Sequence, residues 1–201
     1  MAKYTFELRE LFTPIKFNPP IYTRAEVENF FKDYNLNDYL SDNGFDSKLI
    51  KINDFAFEND LVLGEDPDKF YKVIDIDGLN ECLNEEIRQG SNGILIVEGH
   101  LSHLCEGADK MIVLRLNPSF LKSRLEARDY TESKVNENLE AEAMGVCTAE
   151  AYGIYGDNIS EIDVSDLTVD EIVDVISSII SGSNDYPVGE IDFMDWLISN
   201  S

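Results

Sequence analysis

The run GILIVEGHLSH, residues 93 to 103, concentrates the chemistry-bearing side chains of this chain. Four apolar residues, Ile94 to Val97, give way to Glu98 and His100, which stand two positions apart and so leave a strand on one side. In open parallel sheets ligands bind beyond the carboxyl ends of the strands, which makes strand-closing residues the first candidates for a site. A carboxylate there suits Mg2+ held through water for phosphoryl transfer, and a neighbouring imidazole can orient a phosphate or a proton. A plain strand-end turn with solvated polar residues has the same spacing, so spacing alone leaves both readings open. His100, His103 and Cys105 offer imidazole and thiolate, the ligands that zinc prefers. A fourth ligand at suitable spacing is missing, with Cys82 and Cys147 far off in sequence, and the favoured reading is of polar and buried residues around one loop.

A second signal is electrostatic. The 201 residues include 40 acidic and 16 basic ones, for a formal net charge of −24. Phosphate contacts need clustered Lys and Arg, so this charge excludes a generic basic nucleic-acid binder. Six cations nevertheless fall between positions 110 and 134: Lys110, Arg115, Lys122, Arg124, Arg128 and Lys134. Arg124 and Arg128 are four apart and share a helix face, which lets two guanidinium forks grip adjacent phosphates. A salt-bridged surface helix, with Glu126 and Asp129 nearby, is the competing reading.

The elements that must position these residues alternate along the chain. Leu49 to Ile52, Gly93 to Val97, Met111 to Leu116 and Ile159 to Val164 read as strands. Asp77 to Gln89 places Leu79, Cys82, Leu83 and Ile87 on one helical face, Asn117 caps a helix with Pro118 at its first position, and Thr168 opens another that ends at Gly182. Strand followed by helix, repeated, implies an α/β protein with a parallel sheet flanked by helices. A short apolar anchor around Trp196 in the tail is expected to dock on the body.

Residues 1 to 40 differ from the rest. They carry a net charge of −1 against −23 for residues 41 to 201, hold 9 of the 21 aromatics and three of the six prolines, and contain no glycine. The expected organisation is an atypical aromatic-rich segment, 1–40, and an α/β domain, 41–201. Three cysteines without a CxxC read as free thiols in a reducing compartment, and the short apolar runs predict a cytoplasmic chain with no membrane span and no signal peptide.

Three segments, GILIVEGHLSHL, ADKMIVLRLNPSFLKSRLEARDYTESKVNENLEAEAMGVC and EIDVSDLTVDEIVDVISSIISG, resemble the small archaeal and eukaryotic nuclear-type adenylate kinases in order and spacing. The resemblance runs from about Asp46 to the C-terminus. It implies a P-loop nucleoside monophosphate kinase fold, Mg2+ and ATP as cofactors, and AMP as the acceptor. It also implies, from some members, a small-subunit ribosomal protein as partner. Carried over residue by residue, VEGH resembles the magnesium and water motif, with Glu98 holding Mg2+ through water beside His100. EARDYTESKVNE, within a lid of about 127–137, resembles the mobile lid with Arg128 as its phosphate arginine; Arg124 and Lys134 join it on the ATP side. KLIKINDFAFEND resembles the opening of an AMP-binding region of about 51–77, with Asp54 as the acidic residue. EIDVSD resembles the loop near the adenine, around Val164 and Ser165. The family usually has Gly after the lid arginine, where this chain has Asp129.

The larger departure is that no GxxxxGK[ST] occurs. Such a loop wraps backbone N–H groups around the β-phosphate, adds a Lys, and places Ser or Thr on Mg2+ at a helix N-terminus. The residues that should supply strand, loop and helix read TPIKFNPPIYTRAEVENFFKDYNLNDYLSDNGF, in which Pro14, Pro19 and Pro20 have no N–H to give. One threading makes Ile15 to Phe17 the central strand, Thr23 a helix cap and Arg24 a substitute cation. Alternatively, residues 1 to 40 are foreign; they faintly resemble the opening of phage collar or tail-connector proteins, as a viral structural arm fused to a kinase-like body would. The expected consequence is a kinase fold with impaired catalysis, or a non-catalytic nucleotide-binding or ribosome-assembly partner.

Overall fold

The computed structural model describes residues 3–7, 46–65, 72–89, 93–127, 131–183 and 185–200. In chain order its elements are β1 (Lys3–Glu7), β2 (Ser47–Lys51), α1 (Ile52–Glu58), β3 (Val62–Glu65), β4 (Lys72–Ile74), α2 (Ile76–Gln89) and β5 (Ile94–Glu98). They continue with β6 (Lys110–Arg115), α3 (Pro118–Glu126), α4 (Glu132–Ala143), α5 (Val146–Tyr155), β7 (Ile159–Asp163), α6 (Val169–Ile180) and α7 (Met194–Asn200). Single 3-10 turns cover Ser102–Leu104 and Gly156–Asn158.

Five strands form one parallel sheet in the order β2-β5-β1-β6-β7, and β3 and β4 make a separate antiparallel pair. Alternating side chains send Ile94 and Ile96 of β5 and Ile112 and Leu114 of β6 to one face, where α3, α4 and α6 cover them. Leu95 and Val97 go to the other face, against α1 and α2, and Met111 and Val113 pack there on α5. The result is a parallel α/β sheet flanked by helices, as the strand–helix alternation implies.

The central position is filled by β1, whose residues pair with β5 at Tyr4↔Ile96 and with β6 at Tyr4↔Lys110. This corrects the threading through Ile15 to Phe17: the slot between β5 and β6 is taken by Lys3–Glu7, a strand from inside the aromatic-rich segment. Residues 8–45 lie outside the described residues, and with them Thr23, Arg24 and the proline run.

Helix starts follow the expected chemistry. Asn117 accepts from the Ser119 N–H ahead of Pro118 at 2.9 Å, Thr131 caps α4, and Thr168 and Glu171 form a reciprocal capping box on α6. Trp196 packs against the larger core cluster, so the tail does dock. Among the described residues, no helix is long and apolar enough to cross a membrane.

Candidate functional site

The carboxyl ends of the five parallel strands all face one edge of the sheet, and β1 sits where the chain switches from building one side to building the other. At that edge Glu98 closes β5, in register with Lys51 of β2 and Phe6 of β1. Asp54 lies in the first turn of α1, directly after β2, and is exposed. Glu98 is half-buried, and burial pushes its carboxyl up from the usual carboxylate range; the Lys51 cation pulls it back and the Asp54 charge pushes it up again. Two carboxylates and one ammonium thus converge at the ends of β2 and β5. Hard oxygen donors of this kind fit Mg2+, and a divalent cation there would relieve the cost that burial and Asp54 impose on Glu98.

The turn after Glu98 depends on Gly99. Its φ is +138°, and a Cβ at that position would meet Ile52 Cγ2 at 2.3 Å, so the backbone of VEGH runs against the start of α1. His100 follows, half-buried, with its ring 6.0 Å from that of His103. Glu98 and His100 therefore sit where the sequence places them, at a strand end with the close backbone approach that only glycine permits.

On the other side of β1, the loops after β6 and β7 are tied together. Val164 N–H donates to Arg115 O at 2.9 Å, and Asn117 N–H donates to Ser165 Oγ at 2.8 Å. Ser165 hydroxyl and N–H both donate to Asp163. Val164 is 3 % exposed and belongs to the larger core, so what it offers the site edge is backbone geometry; Ser165 is half-exposed and shapes the loop. Arg124 projects from α3 and is half-buried, and Lys134 lies in the first turn of α4, also half-buried. Arg128 and Asp129 fall outside the described residues.

Among the described residues, two of the six cations, Lys110 and Arg115, do not serve the site edge. Lys110 begins β6, at the opposite end of the strand from the site edge. Arg115 closes β6 but is 3 % exposed and committed elsewhere. Its Nε donates to Glu142 Oε1 at 2.8 Å, one terminal nitrogen donates to Glu161 Oε1 and the other to the Glu142 carbonyl at 2.6 Å, and the Phe193 ring lies 5.3 Å away. Burial opposes the guanidinium charge, but Glu142 and then Glu161 outweigh it and hold the pKa above the usual arginine value. Glu161 also accepts from Thr148 Oγ1 at 2.7 Å and from Gly189 N–H at 3.0 Å. Arg115 is thus the centre of a buried network joining β6, β7, α4, α5 and the tail. Nothing in its sequence neighbourhood, VLRLN, separates it from a phosphate-binding arginine.

The bland reading of His100, His103 and Cys105, as polar and buried residues around one loop, fits the surroundings of Cys105. Cys105 is buried, its thiol donates to Leu101 O at 3.5 Å, and burial pushes its pKa up to about 12, which keeps it a thiol. Cys147, distant in sequence, is the cysteine that α5 brings to His103.

Comparison with known proteins agrees with this architecture. The AAA domain family profile matches residues 34–145. A protein of Methanothermobacter thermautotrophicus named "Putative adenylate kinase" is 42 % identical over 151 residues, covering 75 % of this chain and 85 % of the relative. Proteins of the same name from Methanosarcina acetivorans and Halobacterium salinarum are 35 % and 30 % identical, each covering more than 70 % of this chain and more than 80 % of the relative. By sequence over three quarters of its length, this chain belongs to the archaeal adenylate kinase family.

Proposed function

We propose that this chain binds ATP and AMP at the carboxyl edge of its sheet and transfers the phosphoryl group between them at a rate far below that of a kinase holding a glycine-rich phosphate loop. The observation that carries the reading is the placement of β1. The central strand is Lys3–Glu7, and the residues that leave its carboxyl end read LRELFTPIKFNPP, with no glycine before Gly44. A phosphate cradle needs consecutive backbone N–H groups turned inward, and Pro14, Pro19 and Pro20 have none.

The remaining roles are those the family resemblance implies. Glu98, with Asp54 beside it, would hold Mg2+ through water; when bound, the ion supplies positive charge to the phosphate oxygens. His100 would orient a phosphate or a water at the same strand end. Asp54 lies on the AMP side, Arg124, Arg128 and Lys134 supply the cations of the lid, and the backbone around Val164 and Ser165 borders the adenine. Phosphoryl transfer is accelerated mainly by positioned charge, and each missing donor costs about 100-fold or more in rate.

The test is a coupled assay of ADP formation from AMP with excess Mg-ATP, run beside Arg128→Ala and together with a thermal-shift titration of Mg-ATP. The expected result is a raised melting temperature, since a ligand that binds the native state stabilises it by mass action, with turnover at least about 100-fold below that of an ordinary adenylate kinase. Ordinary turnover that falls in Arg128→Ala would overturn the reading and mean that residues 8–45 have rebuilt a phosphate site. Binding with no turnover at all favours the alternative of a non-catalytic ribosome-assembly partner. With −24 on the chain, its partner would then be a basic protein of the small ribosomal subunit in preference to bare RNA.

A further inference from the structure

His103, Cys147 and Glu150 come together between the turn after β5 and the amino-terminal part of α5. His103 sits on the 3-10 turn Ser102–Leu104 that follows β5 and is 1 % exposed. Cys147 and Glu150 are three residues apart in the first turns of α5 and so share a helix face. One imidazole nitrogen, one thiol sulfur and one carboxylate oxygen all lie within 4.8 Å of one another.

The hydrogen bonds of His103 orient it as metal-bound imidazoles are oriented. Its Nδ1 lies 2.8 Å from the His100 carbonyl oxygen, which can only accept, so Nδ1 carries a proton. A backbone carbonyl in that position is the usual partner behind a ligating histidine, and it leaves Nε2 as the group turned to α5. Nε2 is 2.9 Å from Glu150 Oε2. If Nε2 bears its lone pair, two acceptors face each other at hydrogen-bond distance and a cation is required between them; if it bears a proton, the pair is a plain imidazolium–carboxylate bridge. Cys147 favours the first reading, because its sulfur adds to the imidazole and the carboxylate and completes a nitrogen, sulfur and oxygen donor set for a metal.

We propose that His103, Cys147 and Glu150 bind a divalent transition-metal ion of the zinc class, with a fourth position open to water. Thiolate and imidazole select zinc over Mg2+, so this site is chemically separate from the oxygen donors around Glu98. The metal clips the turn that carries His100 to the amino-terminal end of α5. The consequence is a strand-end turn whose rigidity depends on metal.

The experiment uses the full chain, stripped with a chelator and titrated with Co2+, whose bonding to thiolate gives a charge-transfer absorption. The expected result is a thiolate-to-cobalt band that saturates at one ion per chain, persists in excess Mg2+ and disappears when Zn2+ is added. The band is lost in Cys147→Ser, retained in Cys82→Ser, and needs about tenfold more Co2+ or beyond in Glu150→Gln. Circular dichroism and the urea midpoint of each metal-free variant establish that the fold is intact; Cys147 and Glu150 are not core residues, so these variants test the site without emptying the interior. No thiolate band in the parent chain, or a band that survives Cys147→Ser, overturns the proposal and leaves His103 and Glu150 as an ion pair.

Discussion

Glu98 is held against its own solvation. Its carboxyl is half-buried at a strand end, with Asp54 adding a second negative charge and Lys51 offsetting the two. A carboxylate whose folded pKa lies above its unfolded one binds protons more tightly in the native state. Stability from this group is therefore fully present below the ordinary carboxylate value and is lost as pH rises through the raised one. Glu98→Gln removes that pH dependence. The metal-free protein is expected to melt at the same temperature or higher in Glu98→Gln at neutral pH, while its Mg-dependent nucleotide stabilisation disappears; a lower melting temperature without ligand would contradict the burial argument. Arg115 makes the opposite case. Its guanidinium is enclosed with Glu161 and Glu142, so Arg115→Leu leaves a buried carboxylate without its countercharge. That should cost about 3–5 kcal/mol in urea unfolding. Adding Glu161→Gln to Arg115→Leu should recover much of it, since a buried pair is harder to break than to replace.

Among the elements, α6 shows how local chemistry fixes a boundary. Thr168 Oγ1 accepts from the Glu171 N–H, and Glu171 Oε2 accepts from the Thr168 N–H at 2.8 Å and from its hydroxyl at 2.7 Å. These bonds, the backbone one first, hold the Glu171 carboxyl below its usual range. A depressed carboxylate contributes stability above the ordinary value and loses it as pH falls through the folded one. Thr168→Ala should destabilise the protein by about 1 kcal/mol at neutral pH, with a difference from the parent that shrinks in acid; a constant difference across that window would show that the box is not formed. Beside this helix, the tail lies on the outer strand. Glu161 N–H donates to Tyr186 O at 3.1 Å and Gly189 N–H donates to Glu161, so the open edge of β7 is partly covered.

At the scale of the whole molecule, the sheet depends on its first strand. Four pairs join β1 to β5 and four join it to β6, so deleting residues 1–7 would leave two inner strands with unpaired backbone. The truncated chain is expected to aggregate, as judged by size-exclusion chromatography. A soluble, cooperatively unfolding product would mean that another segment can fill the slot. The net charge of −24 acts on the same balance: self-repulsion weakens a compact acidic chain and salt screens it, so added salt should raise stability before any specific ion effect.

Much of this was legible in the residues. The apolar runs of β5, β6 and β7, the Asn117 and Thr168 caps, the amphipathic α2 and the ending VEGH are local signals, and local signals fix elements because side-chain period and capping act within a few residues. The same is true of the motifs that tie the chain to its family, whereas the close backbone approach at Gly99 is read from the structure. The tertiary structure decided the rest. KYTFE carries no long apolar run, and only pairing on both sides makes it the central strand. Arg115 looks like its cationic neighbours until β7 and α4 enclose it. Cys147 stands far from His103 in sequence, and only the packing of α5 on the 3-10 turn brings thiol, imidazole and carboxylate within reach of one ion. Residue type and spacing determine what a side chain can do; long-range pairing and burial determine which of those things its surroundings allow.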